Sequence, residues 1–277
     1  AIQEVGSTGE AKVIKEALER EIQNDIEHIY MLLAMLYDTR SIQLVKENIE
    51  SGTTEGTTYA VELLDVFLSE SLKQRVIPVL DDLSISEKIK RLETFYPRAD
   101  LDSKLVLKFL INRDFTQSNR WTKATVLHQI GVQKIADFKL DLNAQLFNKD
   151  TLVREAAAWA LNQISPEEYD INSTRLGEDV KRELDEVIYH REHQTHQMIY
   201  DKVMFFKSIA VFEGIPGLAL SNLADIAEEI KLTNGESLVI DGKVNNNFYI
   251  IFHGKVEFYE KGEVGGEYQK GQFIGEM

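Results

Sequence analysis

The sequence predicts a multidomain α+β protein, in which an N-terminal all-α solenoid of helical repeats precedes a β-roll of the jelly-roll type. Two observations support this prediction. Apolar residues in the first 165 positions recur every three or four residues, which lines one face of a helix. After Gly235 the pattern alternates, as in strands. We therefore expect a helical repeat domain at 1–165, a linker with a long charged helix at 166–203, and a β domain at 204–277.

The spacing of Ile14, Leu18 and Ile22 begins the first predicted helix, and shorter helices follow it. Their expected ranges are 40–50, 57–70, 72–82, 86–96, 102–112, 119–132 and 151–164. Ser84 and Glu87 have the spacing of a capping box, in which each satisfies a free backbone donor of the other. The residue types also predict that Asn119 and Asp150 cap helices and that Gly131 ends one, while Trp121 and Trp159 occupy core positions.

The segment Asp150–Leu161 is the best single repeat of the helical part. It resembles the second helix of a HEAT repeat, with an Asp, then Val153-Arg154, then small residues. Alanines allow neighbouring helices to approach closely, and Arg154 is expected to reach a carboxylate of the adjacent repeat. Looser copies span 119–127 and 60–82, and an irregular helical bundle is the alternative to a solenoid.

The sequence after this repeat predicts a change from helices to strands. Pro166–Gly177 indicates a linker, and 178–203 a single charged helix. Phe248–Phe252 is β-branched and aromatic, which predicts a buried strand; Gly254 is expected to turn the chain into a returning strand at 255–259. We expect the next turn at Gly262, Gly265 and Gly266.

An ordered series of motifs across about 75 residues resembles the cyclic nucleotide-binding domain family. The series contains Ile215-Pro216, Gly235, Val239-Ile240, Asp241-Gly242, Gly254-Lys255-Val256, Gly271-Gln272-Phe273 and Gly275-Glu276. The resemblance implies that Gly275 and Glu276 bind a nucleotide, cAMP or cGMP. Glu276 would accept from the ribose hydroxyl, and a short helix beyond it, with an arginine, would hold the phosphate. The alternative for Glu276 is a solvated carboxylate near the chain end.

Composition excludes several classes of function. Lys and Arg number 31 against 46 Asp and Glu, and this net charge of −15 argues against nucleic-acid binding and against docking on anionic lipid. The absence of cysteine removes disulfides and thiolate chemistry. The spacing of His190, His193 and His196 favours a solvated polar face over a metal site. Catalytic motifs are absent, so we expect no enzyme and no cofactor.

The order of helical repeats and a nucleotide-binding-like domain is similar to the soluble C-terminal parts of bacterial ATP/ADP-type nucleotide transporters. The chain begins at Ala1 without Met and ends inside a motif, which predicts a piece of a longer protein. We expect it in the cytoplasm, where an upstream transmembrane region would tether it to the inner membrane. The leading hypothesis is a regulatory sensor whose helical part binds a protein partner or that upstream domain. A structural adaptor with a non-binding β domain is the alternative.

Overall fold

The computed structural model describes residues 1–6, 9–97, 101–193, 197–238, 247–260 and 263–275. These residues are mostly helical, and a small antiparallel β part lies near the C-terminus. The chain divides into two compact units, Ala1–Leu107 and Lys108–Met277. The predicted combination of helices with a small β part is therefore confirmed, whereas a solenoid, a jelly-roll and the predicted domain boundaries remain predictions.

The first unit consists of helices joined by short polar turns. They are α1 (Gly9–Leu36), α2 (Thr39–Glu50), α3 (Thr54–Phe67), α4 (Glu70–Leu80) and α5 (Ile85–Leu92), while α6 (Ser103–Asn112) crosses the boundary between the units. The apolar faces of α1 to α4 meet in a core that includes Tyr30, Leu33, Val45 and Leu64. The capping box of Ser84 and Glu87 is confirmed at the start of α5.

The second unit contains seven further helices among the described residues. They are α7 (Arg120–Val132), α8 (Lys139–Gln145), α9 (Thr151–Ile164), α10 (Pro166–Ser173), α11 (Glu178–Glu192), α12 (Ile199–Lys207) and α13 (Gly217–Ile226), with short 3-10 turns at Ala136–Phe138 and Ala210–Phe212. The predicted caps are confirmed, because Asn119 accepts from Thr122 N and Asp150 accepts from Val153 N, each at 3.0 Å.

Helices α7 and α9 form the centre of this unit and are buried on nearly all sides. Both tryptophans lie in this pair and are buried, as predicted. Gly131 does not end α7, which continues to Val132. A Cβ on Gly131 would lie 2.6 Å from the Trp159 ring and 2.8 Å from Ala160 Cα, so the glycine serves the close crossing of the two helices. The prediction of a terminating glycine was wrong.

A buried lysine supports the neighbouring helix. Lys123 is 3% exposed, and its ammonium donates to the backbone carbonyls of Ile111 (3.0 Å) and Arg113 at the end of α6. Those carbonyls have no partner within their helix, so a cation satisfies them and suits the negative end of the helix dipole.

The predicted single helix over 178–203 was wrong, and the segment predicted as a linker is largely helical. Pro166 occupies the first turn of α10, where proline is compatible with a helix. The charged segment divides into α11 and α12, and extended backbone at Met198 precedes α12. Arg191 and Asp201 consequently lie 2.9 Å apart. Ten residues of continuous helix would separate them by about 15 Å.

The β part contains two antiparallel pairs. Strands β1 (Tyr249–Ile250) and β4 (Phe273–Ile274) form one, and β2 (Lys255–Glu260) and β3 (Glu263–Gln269) form the other. The predicted strand at Phe248–Phe252 is shorter than expected, and of its residues only Ile251 is buried. Gly254 has φ +81°, in agreement with the predicted turn.

The prediction of a turn at Gly265 and Gly266 was wrong, because both glycines lie within β3. They leave room for the Phe258 ring, which would meet a Cβ on Gly265 at 2.3 Å. Gly262 lies outside the described residues, as do Val239–Gly242. Among the residues that the structure describes, no helix combines the length and apolarity that crossing a bilayer requires.

Candidate functional site

The predicted nucleotide site lies at the end of the β1–β4 pair. Tyr249 pairs with Ile274, and Gly275 follows directly. Gly275 adopts φ +132°, and a Cβ there would lie 2.9 Å from the backbone oxygen of Asn247. Backbone conformation and close approach therefore both require glycine at this position. Glu276 lies outside the described residues, so its contact with a ribose stays a prediction.

Two phenylalanine rings lie beside this glycine. Phe248 precedes β1, Phe273 belongs to β4, and their ring centroids are 5.3 Å apart. The rings are 40% and 36% exposed. Aromatic rings that retain exposed surface can stack on a planar base. We name Gly275, Phe248 and Phe273 the β rim.

A second aromatic contact joins the β part to α12. The Phe205 ring of α12 meets Phe252 edge to face at 4.7 Å between centroids. The Lys270 ammonium lies 5.5 Å from the centroid of Phe252 and 5.9 Å from that of Phe205. Phe252 follows β1, and Lys270 lies between β3 and β4. The C-terminal half of α12 is therefore attached to the segments that flank the β rim.

The N-terminal half of α12 is attached to the α7–α9 pair by stacked rings. Tyr200 stacks on Trp121 at 5.3 Å and on His128 at 4.0 Å, and His128 stacks on Trp159 at 4.7 Å. The Arg191 guanidinium lies 3.9 Å from the Trp159 ring centroid. We name these five residues the aromatic stack. Such offset rings and cation–π contacts contribute about 0.5–2 kcal/mol each beyond the burial of area.

Arg191 also organises the polar groups around the stack. Its Nη2 lies 2.9 Å from Asp201 Oδ1 and 2.8 Å from His128 Nε2. A guanidinium only donates, so the His128 nitrogen must accept in this arrangement. Burial raises the pKa of Asp201, and the charge of Arg191 opposes that rise. Arg191 therefore compensates a carboxylate that water cannot reach freely.

Glu155 provides the second polar attachment of α12. It belongs to α9, is 8% exposed, and its Oε2 accepts from the backbone N of Ile199 at 2.9 Å. Ile199 is the first residue of α12, where backbone donors have no partner within the helix. Burial raises the pKa of Glu155 to about 7, although the Ile199 hydrogen bond and the charges of Lys202 and Arg154 act in the opposite direction. A titratable group therefore caps α12.

The arginine that bridges helices is not the predicted one. Arg154 donates to the backbone oxygen of Asn148 at 3.0 Å, so its assignment to a carboxylate of a neighbouring repeat was wrong. Arg120 of α7 takes this role, because its Nε lies 2.8 Å from Asp150 and its Nη2 donates to Asp225 of α13 at 3.0 Å. Asp150, the N-cap residue of α9, thus forms an ion pair with a residue of α7.

The histidines of α11 lie at its C-terminal end. His193 Nδ1 is 2.7 Å from the backbone oxygen of Tyr189, and the two rings stack at 4.1 Å. His196 lies outside the described residues. In the described ranges, no group of three or more His, Cys, Asp or Glu side chains is placed to hold a metal ion.

Sequence reasoning did not find the residues around the stack. His128 had no neighbour in sequence that suggested a site, and Arg191 and Asp201 were assigned to one continuous helix. Glu155 carried a recognisable signal, since it is the one charged residue on the alanine-rich stretch 155–161. A carboxylate in such a stretch is buried only where a donor satisfies it.

No family model matches the chain. No solved structure gives a significant match either. The function is therefore inferred from the geometry of the second unit.

Proposed function

We propose that the protein is a non-catalytic regulatory module. The β rim would bind a cyclic nucleotide, cAMP or cGMP, and α12 would transmit the bound state to the α7–α9 pair. The helical part would bind a protein partner or an upstream membrane domain of the same parent chain, as in nucleotide transporters. The single observation that carries the proposal is the position of α12, which contacts the flanks of the β rim at one end and the aromatic stack at the other.

The β rim supports the ligand class. A glycine that cannot carry a side chain keeps the backbone accessible, and backbone donors are the usual partners of a phosphate. The Phe248 and Phe273 rings offer an apolar face to a base. Glu276 follows Gly275 in sequence, and a carboxylate accepts from ribose hydroxyls.

The attachments of α12 support the coupling. A ligand shifts an equilibrium only when it prefers one of two arrangements. Movement of Phe252 or Lys270 by a ligand would displace Phe205, and α12 would carry that displacement to Tyr200. Tyr200 lies between Trp121 and His128, so the stack would have to adjust.

Calorimetric titration tests the ligand. The chain, with any residues that its gene encodes beyond Met277, is titrated with cAMP and with cGMP, and 5′-AMP serves as the control that lacks the cyclic phosphate. We expect saturable heat for a cyclic nucleotide and at least about tenfold weaker binding of 5′-AMP, equivalent to about 1.4 kcal/mol. Absence of heat at millimolar cAMP and cGMP would defeat the sensing proposal.

Two glycine variants locate the site. Gly275→Ala introduces strain and a contact with Asn247, and it should weaken cyclic nucleotide binding at least about tenfold. Gly254→Ala introduces a comparable strain at φ +81°, but its Cβ meets nothing within 4 Å. It should leave the affinity within about twofold. Equal losses in both variants would place the site elsewhere.

A structural adaptor with a non-binding β part is the second candidate. The observation that favours it is an exposed apolar face on α1, which gives the first unit a surface suited to protein contact without any ligand. This candidate predicts no nucleotide heat and unchanged partner binding when cAMP is added.

A further inference from the structure

The outer face of α1 is apolar over its last two turns. Met31, Leu32, Met35 and Leu36 are 56%, 60%, 81% and 71% exposed. We name these four residues the α1 outer face; Met31 and Met35 lie four residues apart, as do Leu32 and Leu36, and Leu32 and Met35 lie three apart. Residues at such spacings form a continuous surface on a helix. Single exposed apolar residues are ordinary, but a contiguous group of four large ones indicates an interaction site.

The side chains of the α1 outer face do not pack in the core of the first unit. Tyr30 and Leu33, on the other side of α1, are 6% and 4% exposed and pack in the core with Ile42 and Val45. The helix therefore has two apolar faces, and the structure of the first unit buries one of them. Methionine is unbranched and adapts its shape, which suits a surface that receives another side-chain ridge.

Charge indicates the chemistry of the occupant. The stretch from Glu21 to Thr39 contains Glu21, Asp25, Glu27 and Asp38 and no Lys or Arg, and Arg20 and Arg40 flank it. Asp25 is 79% exposed and is the main acidic group offered to a partner, because Glu27 is paired with Lys46 at 2.6 Å and Asp38 caps α2. An apolar strip beside acidic groups complements an amphipathic helix that carries Leu-type residues on one face and Lys or Arg beside them.

The same charges disfavour two other occupants. A second copy of the chain, which carries a net charge of −15, would bring a surface with the same acidic groups, because a twofold contact joins identical patches. A bilayer with anionic lipids would repel the acidic groups.

We propose that the α1 outer face binds a cationic amphipathic helix of a partner protein. The proposal rests on the protein-binding half of the proposed function and gives it a surface and a partner chemistry. It does not require the β rim to bind a nucleotide, so its test contains none. Failure of that test leaves the calorimetric result on cAMP unaffected.

The test uses two labelled synthetic peptides of about 18 residues, the length of roughly five helical turns. Both carry Leu at positions i, i+3, i+4 and i+7; one carries Lys beside the apolar stripe and the other Glu. Fluorescence anisotropy measures their binding to the full chain at low and high salt. The Lys peptide should bind at least about tenfold more tightly than the Glu peptide, and high salt should reduce that difference.

Matched variants locate the binding. Met35→Gln removes apolar surface without adding charge, and binding of the Lys peptide should weaken about tenfold. Val66→Gln is the control, because Val66 is 83% exposed on another helix, and binding should stay within about twofold. Asp25→Asn should weaken the Lys peptide alone. Circular dichroism should show unchanged helicity in all three variants, since each residue is exposed.

Several results would overturn the proposal. Equal binding of the two peptides, or equal losses in Met35→Gln and Val66→Gln, would show that the face does not select a basic partner. Concentration-dependent dimerisation that Met35→Gln abolishes would identify a second copy as the occupant. Binding to neutral phosphatidylcholine vesicles that Met35→Gln abolishes would identify lipid instead.

Discussion

The α7–α9 pair and the β part belong to the same unit and are built in opposite ways. The helix pair buries Trp121, Trp159, His128 and Glu155, and the last two have polar partners. The strands leave Phe258 and Tyr259 39% and 63% exposed. A densely packed helix pair resists change, whereas an exposed pair of short sheets can adapt to a ligand at small cost. Under the proposed function, the strands would bind the ligand and the helix pair would receive the resulting displacement.

The largest effect should come from a pair of glycine substitutions. Gly131→Val places a branched side chain against Trp159 and the Ala160 backbone, where neither can move aside, and should destabilise the protein by about 4 kcal/mol. Gly265→Val meets only the exposed Phe258 ring, which can rotate away, and should cost less than about 1 kcal/mol. Urea unfolding measures both, and equal losses would remove the contrast between the regions.

Ion pairs should show the same contrast on a smaller scale. Arg191→Ala leaves Asp201 buried without its cation and uncovers Trp159, which should cost about 3 kcal/mol. Lys255→Ala breaks a cross-strand pair with Glu267 that lies in solvent, and it should cost less than about 0.5 kcal/mol. A loss below about 1 kcal/mol for Arg191→Ala in urea unfolding would show that the stack does not depend on its guanidinium.

Glu155 should make stability depend on pH. Its pKa is raised from about 4.5 to about 7, so between these values the folded protein holds a proton that the unfolded chain has lost. Stability from this group is therefore fully present below pH 4.5, falls as pH rises toward 7, and is constant above. The total change is at most about 3 kcal/mol.

Glu155→Gln should remove this slope while Gln still accepts from Ile199. Glu267→Gln is the control, because the pKa of Glu267 is lowered by Lys255 and Gln269. Thermal unfolding between about pH 4.5 and 8 gives the dependence of stability on pH for both variants. An unchanged slope in Glu155→Gln would show that Glu155 does not titrate in this range.

A smaller effect on stability than those of Gly131→Val, Arg191→Ala and Glu155 titration is expected at the contact between Phe252 and α12. Phe252→Leu removes the edge-to-face contact with Phe205, which should cost about 1 kcal/mol and increase amide hydrogen exchange in α12. Phe273→Leu removes a ring pair of similar separation whose partner is Phe248 and not a residue of α12. In the Phe273→Leu variant, amide hydrogen exchange in α12 should equal that of the unmodified protein. Faster exchange in both variants would mean that the β part stabilises α12 as a whole.

Local signals predicted much of the helical part. Caps such as Ser84–Glu87, Asn119 and Asp150 act within a few residues of sequence, so residue type and spacing were sufficient. The interruption between α11 and α12 could not be predicted in this way. It is stabilised by contacts across helices, among them Arg191 with Asp201 and Glu155 with Ile199.

The same division applies to the glycines and to the candidate site. Gly254 has the backbone angle of the turn that sequence predicted. Gly131 and Gly265 instead make room for the Trp159 and Phe258 rings, and these positions follow only from tertiary packing. The nucleotide site at Gly275 and Glu276 was predicted by resemblance, whereas the side-chain contacts of α12 with the β part and with the aromatic stack follow only from tertiary packing.

Tryptophan fluorescence tests the coupling most directly, because the chain has two tryptophans and both belong to the aromatic stack, while the β rim has none. Emission under excitation selective for tryptophan is followed while cAMP or cGMP is added to the chain as its gene encodes it. Coupling through α12 predicts a saturable change with the midpoint found by calorimetry, and a smaller change in Phe252→Leu. Calorimetric binding of a cyclic nucleotide without any change in tryptophan emission would contradict it.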